Sequence, residues 1–137
     1  MSKAIQIVLR WLPALVMMLI IFLFSSQSSS ELPSFDWADR IVKKSGHVIG
    51  YALLALSCWR GLAFKHEQRW LAWCLVILYA VFDEFHQSFV PGRFPSVMDV
   101  LVFDNLGALI GLWFFNLYKT QRSDSLGPIV EKINAES

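Results

Sequence analysis

Four apolar blocks of about 20 residues each dominate this chain of 137 residues. They run from Ile5 to Phe24, Gly46 to Phe64, Trp70 to Val90 and Val97 to Tyr118. At about 1.5 Å of helical rise per residue, each can cross the roughly 30 Å hydrocarbon core of a bilayer. So little chain is left over that the reading is an all-α integral membrane four-helix bundle. Residues 1–118 form its transmembrane domain, and 119–137 form a polar cytoplasmic tail with little order. A soluble bundle is the competing reading, but its helices need polar faces, and WLPALVMMLIIFLF in the first block has none. Composition agrees: 17% of residues are charged, against about 25% in soluble domains. A formal net charge of +1 gives no footprint for nucleic acid.

Lys3 and Arg10 ahead of the first apolar run, with small residues after it, also resemble a secretory leader. No clean small-x-small cleavage site follows, and the block is read as a membrane helix. Cys58 and Cys74 are the only cysteines. They are too few for a disulfide framework and lack metal-ligand spacing, so both read as packing residues.

Basic residues near helix ends set orientation. With four crossings, Lys3, Arg10, Arg60, Lys65, Arg69, Lys119 and Arg122 share one side, and Arg40, Lys43, Lys44 and Arg93 the other. The asymmetry predicts both termini in the cytoplasm. Residues 25–45 are then an outer loop, 65–69 a tight inner turn, and PGRFPS (91–96) a tight outer turn.

The third block ends in DEFHQSFVPGR, residues 83–93, where charge arrives abruptly. Asp83 and Glu84 fall late in that block, His47 and Tyr51 early in the second, Asp99 with Asp104 and Asn105 early in the fourth, and Gln27 after the first. All four helices therefore bring polar groups to one depth, near the outer surface. Lys43, His47 and Tyr51 are spaced by four, as are Tyr79, Asp83 and Gln87, so each set shares a helical face. A carboxylate facing lipid costs about 2.5–3.5 kcal/mol or more. A contiguous interior cluster is expected, with one acid of the Asp83–Glu84 pair held by Lys44 or Arg93 and the other facing a wet mouth. Gly107 and Gly111 form a Gly-x-x-x-Gly pair for close helix packing.

SSQSSS, KSGHVIGYALLAL, DEFHQSFVPGRFPSVMDV and DNLGALIG, in that order, resemble the VanZ-like membrane proteins, from about Ser25 to Gly111. The resemblance implies a small multi-pass protein of the bacterial cell membrane. Its founding member implies lowered glycopeptide (teicoplanin) susceptibility, and the resemblance itself supplies no reaction. Carried over by position, the family's polar residues fall on Ser26, Gln27, Lys44, His47, Tyr51, Asp83, Glu84, Gln87, Arg93 and Asp99. From Asp99 to Gly107 the spacing is one residue longer than the family's usual pattern. The inner polar place therefore falls on Asp104 or Asn105, and Asn105 is carried in the binding set.

Function divides into three main readings. The cluster binds a polar or anionic envelope molecule, such as a lipid or lipid-linked cell-wall precursor, through Gln27, Lys44, His47, Tyr51, Asp83, Glu84, Gln87, Arg93, Asp99 and Asn105. Alternatively it is catalytic, with His47, Asp83 and Glu84 doing acid–base work on such a lipid. Or it is structural, a charge-neutralised seam. A proton-coupled transporter would place its acids deeper. The sequence calls for no metal or cofactor and sets no oligomeric state.

Overall fold

The computed structural model describes residues 2–27, 36–93 and 96–135. Ser28 to Ser30 and Pro95, assigned above to turns, lie outside the described residues, as does the side chain of Lys43. The described chain is all-helical, without a strand. Helix α1 is Lys3–Ser25, α2 is Asp36–Gly61 and α3 is Arg69–Gln87; a π-helical turn, Asp99–Asp104, runs into α4, Asn105–Ala135.

Local chemistry sets the boundaries. Ser2 caps α1 by accepting the Ile5 N–H at 3.4 Å, and Pro13 lies inside α1 without ending it. The α2–α3 connection turns through Ala63 and Phe64, both left-handed at φ 57° and 53°. That conformation is uncommon for residues with a Cβ. It is held by the Phe64 N–H donating to the Trp59 carbonyl at 2.9 Å and by the Trp59 indole donating to the Lys65 carbonyl at 2.9 Å. After α3, Gly92 takes φ 75°, which suits glycine, and the chain reverses.

Two expectations are corrected. α2 begins at Asp36, so residues 36–45 are helix rather than loop. α4 continues to Ala135, where little order was expected after Tyr118. In both cases a polar stretch extends a helix that an apolar block has already nucleated, and propagation is far easier than nucleation.

α2 is the central helix, packed most extensively against α4, then α1, then α3. Its Tyr51, Leu54, Ala55, Cys58 and Trp59 are fully buried, facing Ala14 and Ile21 of α1, Ala72, Val76 and Ala80 of α3, and Ala108 and Leu112 of α4. The α2–α4 approach depends on glycine. A Cβ on Gly107 would overlap the Val48 carbonyl, and one on Gly111 would lie 2.7 Å from the Ala52 carbonyl oxygen. The outer surface is apolar: Leu12, Leu15, Leu19 and Leu23 of α1, Leu78, Phe82 and Phe85 of α3, and Leu106, Trp113 and Phe114 of α4 are all exposed. Among the described residues, Lys3–Ser25 and Asp99–Arg122 are long and apolar enough to cross a membrane.

Candidate functional site

The end of α3 answers the puzzle of DEFHQSFVPGR. Asp83, 1% exposed, faces the bundle axis. Its Oδ2 accepts from the Ser25 hydroxyl at 2.7 Å, Gln87 Nε2 at 2.9 Å and, more weakly, the Tyr51 hydroxyl at 3.4 Å. One carboxylate oxygen thus ties α1, α2 and α3. Oδ1 has no hydrogen-bond partner among the described residues. Glu84, about 100° round the helix and 8% exposed, accepts the backbone N–H of Ser96. It thereby places an acceptor at the start of the last helical segment, where backbone N–H groups lack intrahelical partners.

Neither acid pairs with Lys44 or Arg93, which corrects the expected pairing. Arg93 turns to the end of α1: Nη2 donates to the Phe24 carbonyl at 2.8 Å and Nε to the Gln27 carbonyl at 3.1 Å. Nη1 donates to Gln87 Oε1 at 3.1 Å. The last carbonyls of a helix lack intrahelical partners, and a planar fork with five N–H groups meets several at once. Lys44 lies 3.9 Å from Asp99 and 4.2 Å over the Phe103 ring, at the rim.

The fourth helix resolves the choice left open between Asp104 and Asn105. Asp104, 1% exposed, has Oδ1 2.9 Å from His47 Nδ1. Asn105 turns away and accepts the Trp73 indole N–H at 2.8 Å. The inner polar place beside His47, given to Asn105 above, is therefore taken by Asp104. The π-helical turn Asp99–Asp104 is the physical reason. A π turn holds one extra residue in a helix and re-aims the side chains on either side of it.

Residues outside the expected set complete the cluster. Ser25, 3% exposed, is buried on the α1 stripe of Ala14 and Ile21; it opens the SSQSSS motif, and its helical spacing from Ala14 and Ile21 is what marks it as inward-facing. His86 Nε2 lies 3.0 Å from Ser26 Oγ and its ring is 4.3 Å from that of Phe22, a second tie between α1 and α3. No group of three His, Cys, Asp or Glu side chains able to hold a metal occurs among the described residues.

Beside the cluster, α1 and α2 enclose a cavity of about 520 Å³. Met17, Ile20, Ile21, Phe24 and Ile49 form an apolar wall, and Ser25, Gln27, His47, Tyr51 and Arg93 a polar end. Its basic lining is Arg93 and His47, and no carboxylate lines it. With Nδ1 committed to Asp104, Nε2 is the ring nitrogen of His47 left for a ligand, and the ring stacks 5.9 Å from Tyr51.

No curated protein and no solved structure matches the chain. The family model described as VanZ/LLP1 matches residues 10–119, a span that includes Ser25, Gln27, Lys44, His47, Asp83, Glu84, Arg93, Asp99 and Asp104. On that match the chain belongs to the VanZ/LLP1 family.

Proposed function

We propose that this chain is a multi-pass protein of a bacterial cell membrane, crossing it four times with both termini in the cytoplasm. Its α1–α2 cavity takes the anionic headgroup of an envelope lipid or lipid-linked cell-wall precursor. The observation that carries the reading is the amphiphilic lining of that cavity, apolar along Met17, Ile20 and Ile49 and polar at Gln27, His47, Tyr51 and Arg93. A lipid offers the same division, an apolar chain and a polar head. Arg93 uses part of its fork on carbonyls and keeps its charge at the cavity mouth. Continuous exposed apolar faces on α1, α3 and α4 support the membrane setting, since soluble proteins rarely carry large apolar patches. Family membership supports a link to glycopeptide susceptibility, through the availability of such a precursor.

A second reading rests on the His47–Asp104 pair. A buried carboxylate on Nδ1 orients an imidazole whose Nε2 can then take or give a proton, the arrangement that general acid–base catalysis uses. One experiment separates the two. Lipids co-purifying with wild type and with His47→Ala are identified by mass spectrometry. A lipid class enriched over the bulk membrane in wild type and lost in His47→Ala supports binding, and its conversion to a product on incubation supports catalysis. A wild-type profile equal to that of the bulk membrane refutes both.

A further inference from the structure

We infer that a second lipid site lies between α3 and α4, at the opposite end of the bundle, and that it holds an anionic phospholipid with its phosphate on Arg69. Arg69 opens α3, fourteen residues before Asp83, or about 21 Å along the helix. Here the two helices separate into a cleft of about 660 Å³ lined by His66, Arg69, Trp70, Trp73, Leu109 and Trp113, among others. That volume is within the roughly 300–1,000 Å³ of small-molecule sites.

The chemistry is divided along the cleft. Among the described residues, Arg69 makes no salt bridge and no side-chain hydrogen bond, although it is half-buried. Two other cations at this end are engaged: Arg60 donates to the Leu9 and Arg10 carbonyls and Lys119 to the Phe64 carbonyl. Glu67, the nearby acid, is exposed and does not line the cleft. A guanidinium without a carboxylate, at the positive end of a 19-residue helix, favours a phosphate. Below it, three indoles and Leu109 form an apolar trough for an acyl chain, and tryptophan suits the boundary between headgroup and hydrocarbon. The Asn105–Trp73 hydrogen bond fixes one wall. This gives Asn105 a positioning role here rather than in the acidic cluster.

The proposal shares only the membrane setting with the reading of the α1–α2 cavity. Its test is native mass spectrometry of the full-length protein in detergent, titrated with phosphatidylglycerol and with phosphatidylcholine of the same chains. Wild type is expected to retain a phosphatidylglycerol adduct in preference. Arg69→Gln should weaken that adduct about tenfold, the loss of one charge-assisted contact, and leave phosphatidylcholine unaffected. Leu109→Trp, which fills the trough and keeps the arginine, should weaken it too, and His47→Ala should not. Equal retention of the two lipids, or an adduct unchanged in both Arg69→Gln and Leu109→Trp, overturns the site. An adduct removed by His47→Ala and not by Arg69→Gln belongs to the α1–α2 cavity, which overturns this proposal and spares the other.

Discussion

Asp83 shows how one side chain can organise a bundle without an ion pair. Its Oδ2 accepts from three donors on three helices, so truncation strands buried groups, at about 1–3 kcal/mol each. Asp83→Ala is expected to destabilise by about 3 kcal/mol or more. Asp83→Asn keeps an acceptor oxygen for the same donors and sets its amide where Oδ1 has no partner, so it should cost less than half as much. Thermal unfolding of the purified variants in detergent measures both. An Asn variant as unstable as the Ala variant would mean that the negative charge, rather than the acceptor, is what the bundle needs.

At the scale of elements, the α2–α4 contact sets the geometry of the His47–Asp104 pair. Val48, whose carbonyl meets Gly107, is the neighbour of His47, and Gly107 is one turn from Asp104. Gly107→Ala gains up to about 1 kcal/mol of helix propensity but drives a methyl group into rigid backbone. It should be net destabilising, by roughly 1–3 kcal/mol, and should weaken whatever His47 holds. Gly46 is the internal control: a Cβ there meets nothing within 4 Å, so Gly46→Ala should be neutral or mildly stabilising. Unfolding midpoints of the two variants, compared with wild type, test the contrast; equal midpoints would remove the argument for glycine-dependent approach.

For the whole molecule, the question is how the bundle lies in a bilayer. The charge asymmetry between helix ends and the apolar outer surface predict four crossings. Reporter fusions at Lys65 and at Ser123 should both read cytoplasmic. Ser123 follows the last block, and an extracytoplasmic signal there would mean an odd number of crossings. The cluster and the Arg69 cleft lie at opposite ends of α3, so this orientation also assigns each to a leaflet.

The sequence by itself determined four helices, the end of the bundle at which polar groups collect and the glycine-lined helix contact. These follow from block length, helical period and residue size, which are properties of local chain. It did not determine partners. Arg93 settles on the Phe24 and Gln27 carbonyls, and backbone carbonyls look alike at every residue, so no side-chain pattern points to them. Asp104 rather than Asn105 reaches His47 because a π turn rotates the start of the last helix, and the 3.6-residue period assumed in reading a sequence has no place for that rotation. Ser25 joins Asp83, and Asn105 joins Trp73, because packing brings together residues 58 and 32 positions apart. Only the tertiary structure decided those pairings, since each depends on the relative rotation of two helices, which neither helix encodes alone.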